Sequence, residues 1–367
     1  MILTIFIFIA VLAVLVLSHE FGHFIAAKKF NMRVDEFGFG FPPKLFGKKY
    51  GETEYSLNLL PIGGFVKIFG ENPDDENTNG PDRDRSFVNK AKWKQAIVLF
   101  AGVFMNFLLA WILFSFGFMS GMPTSLGSEP EGYEIYDVHT VVVSVAPESP
   151  AEMAGLKSGD KIFNIKNREY SPSSNSPEAI RALVVSSANK EIEIGYVRGK
   201  NPDVKYTTLI PAVNGSGSPS IGISMDMIGT AKLPLFTAFR EGLVLTWFVT
   251  KGTVVGLYTL IFDSLRGHGS FASVTGPVGM VGIVGDAYQF GFVYLLSFAA
   301  LISVNLAIIN LLPFPALDGG RLFFLLIEKI KGSRINPKVA NTANTIGFGI
   351  LILLMVVITF HDVVKLF

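Results

Sequence analysis

Ser18-His19-Glu20-Phe21-Gly22-His23 places two imidazoles and a carboxylate inside an N-terminal run that is otherwise apolar from Ile2 to Ala27 and ends on Lys28-Lys29. The uncharged part, Ile2 to Leu17, is near the lower limit of a membrane span, and only with the His-Glu-His group included is it comfortably long enough. On a helix, His19 and His23 stand four apart on one face with Glu20 beside them. That is the two-imidazole part of a zinc site, with a carboxylate placed to take a proton from water. With five histidines in 367 residues, an accidental match has a probability of roughly one in several hundred. Depth is the stronger argument, because ionisable groups are costly in hydrocarbon and usually mark a site or a pathway there.

The whole chain supports a membrane setting. It is 50% hydrophobic and 17% charged, with a mean hydropathy of +0.45, too apolar for an ordinary soluble enzyme. A net charge of +1 offers no field for nucleic-acid capture, so no nucleic-acid partner is expected. The absence of cysteine excludes disulfides, iron–sulfur clusters, a thiol nucleophile and sulfur ligation of zinc, leaving nitrogen and oxygen donors. The first segment has no basic n-region and its basic pair follows the apolar run, so it reads as retained, not as a signal peptide, with Lys28-Lys29 on the cytoplasmic side.

Residues 30–70 carry Phe37-Gly38-Phe39-Gly40-Phe41-Pro42-Pro43, an alternating stretch from Glu54 to Leu60, and Gly63-Gly64 before Phe65 to Ile68, which predicts a small hairpin or sheet. Its edge offers a place for an extended chain to pair; a structural loop cover is the plainer alternative. Glu71 to Asp84 reads as a mobile surface excursion. Span two runs from about Ala96 to Met119, with Gly102 and Asn106 one turn apart on a face suited to close packing and a polar contact with the histidine helix.

From about Glu129 to Asp226 the composition becomes soluble. Val141 to Val145 predicts a strand, Ser149 to Met153 a capped turn, Ser176 to Ser186 a helix begun by Pro177, and two further strands follow at Glu191 to Val197 and Tyr206 to Ile210. The run Ser149-Pro150-Ala151-Glu152-Met153-Ala154-Gly155-Leu156-Lys157-Ser158-Gly159-Asp160 resembles a PDZ domain of bacterial envelope proteases. That resemblance implies a peptide-binding groove; a spacer that screens substrate size is the competing role.

Leu235 to Leu260 is apolar but interrupted by Arg240, Glu241 and Lys251, and is expected as one or two helices lying along or dipping into the membrane. Gly276-Pro277-Val278-Gly279 marks a break. Span three, about Phe292 to Leu312, ends in Asn310-Leu311-Leu312-Pro313-Phe314-Pro315-Ala316-Leu317-Asp318-Gly319-Gly320-Arg321, where the prolines break the helix and place Asp318 at its broken C-terminal end. Span four runs from about Ala343 to Thr359.

A third metal ligand must reach the depth of the histidines, and Lys28 lies about 14 Å beyond His19 along its helix. Asp318 meets that demand if span three also runs from outside to inside. A basic loop containing Arg321, Lys329, Lys331, Arg334 and Lys338 agrees with it. The expected fold is therefore a multi-pass α-helical membrane protein with four transmembrane helices, a small membrane-associated β-hairpin region and one inserted PDZ-like domain. The expected division is residues 1–128, 129–226 (extracytoplasmic), 227–290 (membrane-associated) and 291–367.

His19, His23 and Asp318 give three ligands for zinc, and Glu20 a base that takes a proton from water and returns it to the departing nitrogen. The constellation, with Gly276-Pro277 and Asn310 to Gly319, resembles the site-2 protease family of intramembrane metalloproteases, in the bacterial group similar to the regulator of sigma-E protease. The resemblance covers essentially the entire chain. It implies a zinc endopeptidase of the bacterial inner membrane with its active site towards the cytoplasm. Implied substrates are single-span membrane proteins, either anti-sigma factors already trimmed by a site-1 protease or remnant signal peptides. It further implies that Asn310 supports the scissile carbonyl and that Gly63, Gly64 and Phe65 belong to the hairpin that meets substrate.

Two other classes compete. A zinc-dependent membrane chaperone or receptor has no use for a base at Glu20, and a transporter would show an internal repeat among its spans. His139, His268 and His361 lack comparable partners and read as surface or structural residues.

Overall fold

The computed structural model describes residues 2–72, 74–199, 202–213, 217–267 and 275–364. Its first helix, α1 (Ile2–Lys29), is uninterrupted, the form that satisfies every backbone group within an apolar medium. Asn31, at φ +53, turns the chain out of the helix, a conformation that asparagine tolerates.

The next strands, β1 (Val34–Tyr50) and β2 (Thr53–Ile68), form a two-stranded sheet. Both bend, so that Phe37 pairs with Val66 on one side and Tyr55 on the other, while Tyr55 also faces Lys48. Pro42-Pro43 sits at the bend of β1, consistent with the inability of proline to donate to a ladder. The turn after Tyr50 is tied down by Glu52, which accepts from Lys28 Nζ at 2.5 Å and from Arg85. Burial works to raise the Glu52 carboxyl, and the Lys28 and Arg85 hydrogen bonds overcome it, holding it below the usual carboxylate range. Ala27, Met32, Val34, Ile68, Phe87, Val98 and Leu99 form one core that joins the end of α1 to the root of the sheet.

The segment read as a mobile excursion contains a short helix, α2 (Asp75–Asn79), closed by a capping box between Asp74 and Asn77. Asn77 is buried there, and Asp82 accepts from Arg33 at 2.6 Å. Local side-chain to backbone bonds thus order a polar stretch whose composition alone suggests none. The chain then enters α3 (Lys92–Ser120).

The chain divides into two compact units, Met1–Phe114 with Gly242–Gly285 and Ser297–Phe367, and Ser115–Glu241 with Asp286–Leu296. The second holds β3 (Met122–Ser125), β4 (Tyr136–Val145), α4 (Pro150–Met153), β5 (Lys161–Asn167), α5 (Pro177–Ser186), β6 (Ile192–Val197), β7 (Lys205–Leu209), β8 (Ala212–Val213), β9 (Pro219–Ser220) and β10 (Ile223–Ala231). Six strands make one sheet in the order β3-β10-β4-β5-β6-β7. Its core centres on Val142, Ile165, Ile180, Leu183, Ile192 and Ile194. Ser149 and Ser176 cap α4 and α5 as the sequence indicates. Strand β3 precedes residue 129 and β10 runs past residue 226, so the sheet exceeds both expected bounds. Buried Asp160 holds Arg198 Nε at 2.6 Å and the Lys157 N–H at 2.8 Å.

The chain continues through α6 (Leu235–Leu265), α7 (Pro277–Phe290), α8 (Phe292–Asn310), α9 (Asp318–Lys331) and α10 (Pro337–Val364). One expectation takes the simpler of its two forms, and another needs correction. The segment from Leu235 is one unbroken helix, since Arg240, Glu241 and Lys251 interrupt its hydropathy without breaking its backbone hydrogen bonds. Among the described residues five helices are long and apolar enough to cross a membrane: α1, α3, α6, α8 and α10. Four of these, α1, α3, α8 and α10, correspond to the crossings expected, and α6 is a fifth helix of sufficient length and hydropathy. The correction concerns the basic loop after span three, which is largely the amphipathic helix α9, so Asp318 opens a new helix instead of ending the previous one. A carboxylate at that end is favoured by the helix dipole.

His139 pairs with Asp137 at 2.9 Å, and His361 lies on α10. His268 falls outside the described residues.

Candidate metal centre

The two histidines are brought together by helix pitch and by a close crossing of α1 and α3. A Cβ on Gly22 would lie 2.2 Å from the Ala101 carbonyl oxygen, so glycine lets the two backbones approach there. Opposite it, a Cβ on Gly102 would lie 2.3 Å from His23 Nε2 and 2.9 Å from His19 Cε1. The face of α3 marked by Gly102 and Asn106 therefore meets the histidine helix, as the sequence indicates.

His19 and His23 are buried, with ring centroids 4.8 Å apart and planes at 84°. Their Nε2 atoms are 3.2 Å apart, and Asp318 Oδ2 lies 3.0 Å from the first and 3.2 Å from the second. Among the described residues these three form the group able to hold a metal ion.

The hydrogen bonds on the far side of each ring decide what that triangle is. His23 Nδ1 lies 2.8 Å from the Val98 carbonyl oxygen, which can only accept, so Nδ1 carries a proton and the neutral ring turns the Nε2 lone pair into the triangle. His19 Nδ1 faces Asn106 Nδ2 at 3.4 Å, while Asn106 Oδ1 is buried without a hydrogen-bond partner. Exchanging the amide oxygen and nitrogen, an assignment that hydrogen-bond logic governs, would let Oδ1 accept from His19 Nδ1 and turn the second lone pair inward as well, with the amide nitrogen then in the place of the unpartnered oxygen. In that tautomer two imidazole lone pairs and a carboxylate oxygen converge at about 3 Å, an arrangement suited to a metal ion.

Zinc fits this donor set. Tetrahedral ligands at about 2.0–2.1 Å stand about 3.3–3.4 Å apart, close to the observed edges, and neutral imidazoles held through Nδ1–H are the usual form of zinc-bound histidine. Replacing Asn106 by leucine is expected to lower zinc affinity by about 10–100-fold, measured by chelator competition on the purified chain.

A cavity of about 230 Å³ opens beside the triangle, lined by Val16, His19, Glu20, Gly63, Gly64, Leu306, Asn310 and Ala316 to Asp318. The Val66 backbone faces the Glu20 carboxylate, and a Cβ on Gly64 would lie 3.4 Å from Glu20 Cγ. The end of β2 is thus laid directly along the carboxylate. Asn310 reaches in from the last residue of α8, its Nδ2 3.5 Å from His19 Nε2, while Ser303 of α8 donates to the Asn106 carbonyl at 2.8 Å. Seven of the eight residues singled out from the sequence are therefore assembled at one place. Phe65 is the exception: its ring lies over Gly38, and it is not among the residues that line the cavity.

Sequence reasoning missed the Val98 carbonyl, which no residue type could announce. It also missed the part played by Ala316.

The comparisons with known proteins agree with this geometry. A model described as "Peptidase family M50" matches residues 7–354. "Putative zinc metalloprotease CPE1693" of Clostridium perfringens is 37% identical over 351 residues, 95% of each chain. "Zinc metalloprotease RasP" of Geobacillus kaustophilus is 30% identical over 434 residues, covering 98% of this chain and 97% of the relative. Among solved structures, the second domain of the Listeria protein Lin2157 is 24% identical and covers 24% of this chain and 82% of its own, with a TM-score of 0.19, too low to support an argument about fold. With nearly its whole length matched by the family model and by its relatives, the chain belongs to peptidase family M50 and is a metalloprotease.

Proposed function

We propose that this chain is a zinc-dependent intramembrane endopeptidase that cuts single-span membrane proteins, of the anti-sigma-factor or remnant-signal-peptide type. The observation that carries the reading is the meeting, in one cavity, of the metal triangle, Glu20 and the Gly63-Gly64 end of β2, on helices long and apolar enough to lie in a bilayer. When bound, zinc supplies a Lewis acid that polarises the scissile carbonyl and acidifies water. Glu20 takes the proton of the attacking water and returns it to the leaving nitrogen. The amide of Asn310 donates to the carbonyl oxygen as charge develops on it. The segment from Gly64 to Lys67 pairs with β1 along one side, and a substrate opened into an extended strand pairs along the other. Such opening exposes a peptide bond that a helix would shield.

The sheet of the second unit serves as an extracytoplasmic PDZ-like domain. Strand β3 and Leu126 cover β10 from Met227 to Ala231, and among the described residues no strand pairs with that side of the stretch from Ile223 to Asp226, where a peptide can add. A site-1 protease acting first supplies trimmed substrates small enough to pass. The enzyme resides in the bacterial plasma membrane with its metal site towards the cytoplasm.

Co-expression of the wild-type chain or its Glu20→Gln variant with a library of tagged single-span proteins tests the reading. Fragments cut within the spanning segment are expected with the wild type alone; identical fragment sets from both would overturn it.

A further inference from the structure

The loop that delivers Asp318 is held in an unfavourable shape. Ala316 has φ +76, the left-handed region that side-chain-bearing residues rarely adopt, and it lines the cavity two residues before the ligand. A conformation of this kind persists where surrounding structure enforces it. Here the surroundings are α10. The Ala316 N–H donates to Asn344 Oδ1 at 3.2 Å. One turn on, a Cβ on Gly347 would lie 2.5 Å from the Pro315 carbonyl oxygen and 2.8 Å from Pro315 Cβ. Asn344 and Gly347 are three apart and share a helix face, so α10 presses on Pro315 and fixes Ala316 at adjacent points.

On the other side the loop has no slack. A Cβ on Gly319 would lie 2.2 Å from the Leu312 carbonyl oxygen, and one on Gly320 2.1 Å from that of Phe314. The first turn of α9 is therefore packed onto the loop that precedes it. Leu317, the cap residue of α9, makes no side-chain capping bond. Movement at Ala316 passes to Asp318 with little to absorb it.

We infer that Asn344 is a positioning residue of the metal centre: its side-chain oxygen holds Ala316 in the left-handed conformation that aims Asp318 at the two imidazoles. The inference rests on the metal-centre reading above. It assigns to the final helix a part in metal binding that the histidine and aspartate motifs do not contain.

The test is zinc affinity of the full chain in detergent, by competition with a chelator, alongside thermal unfolding of the metal-free protein. Asn344→Leu removes the acceptor and is expected to weaken zinc binding by about 10–100-fold, the range for loss of an outer partner of a metal ligand. Asn344→Asp keeps an acceptor oxygen and is expected to stay within about threefold of the wild type. Glycine adopts φ +76 without strain, so Ala316→Gly added to Asn344→Leu is expected to recover most of the loss. Wild-type affinity in Asn344→Leu would overturn the inference. So would a loss shared equally by Asn344→Asp and accompanied by an equal drop in unfolding temperature, which marks a role in folding alone. Failure of the wild type itself to bind zinc would instead sink the metal-centre reading, and the inference with it.

Discussion

Glu20→Gln is expected to lower peptide hydrolysis by about 10³-fold or more, at the upper part of the range for removal of a general acid–base, while the purified protein keeps its full zinc content. The expectation follows from the separation of roles at the site. The metal-holding group consists of His19, His23 and Asp318 and leaves Glu20 out. The side chain instead faces the Val66 backbone and lies against Gly64. Glutamine has the same shape and retains an oxygen to turn towards that backbone, so packing and metal binding survive. What it lacks is the capacity to take a proton from water and give it up again. Turnover of a tagged single-span substrate in detergent, with zinc measured by elemental analysis on the same sample, checks both halves. Normal turnover would remove Glu20 from the mechanism, and loss of zinc would make it structural.

The parts of this molecule that were legible in the sequence are those in which local spacing fixes three-dimensional neighbourhood. His19 and His23 had to share a helix face, and the caps at Ser149 and Ser176 had to start helices, because both follow from a few consecutive residues. The meeting of Asp318 with the histidines was legible for a different reason: a metal with two imidazoles wants a third donor, and few ionisable groups lay in apolar surroundings. The path after Pro315 was misread because proline and glycine usually end helices, whereas Gly319 and Gly320 here allow α9 to begin tight against the preceding loop. Phe65 was placed in the hairpin correctly, but its side of the strand could not be read because the sequence does not give the register, and one residue along a strand reverses the face. Asn344 was invisible, since the strain it restrains at Ala316 exists only in the folded backbone.

Gly102→Ala tests the close crossing on which the metal centre depends. Alanine is the better helix former by about 1 kcal/mol, so at a glycine with free space the exchange should stabilise the protein. Gly349 of α10 is such a place, with nothing within 4 Å of where a Cβ would stand, and Gly349→Ala is expected to leave zinc binding unchanged. At Gly102 the added carbon would stand 2.3 Å from His23 Nε2, 2.6 Å from its Cε1 and 2.9 Å from His19 Cε1. A non-bonded contact needs about 3.5 Å, so the rings must move by roughly an ångström. They cannot do so freely, because His23 is anchored through Val98 and His19 through Asn106. Metal–ligand distances tolerate only about 0.2 Å, and the displaced atoms are the donors themselves. The expected result is a fall in zinc affinity of at least about 100-fold, with activity lost in proportion. If Gly102→Ala binds zinc as tightly as Gly349→Ala, the two imidazoles do not meet the metal at the α1–α3 crossing.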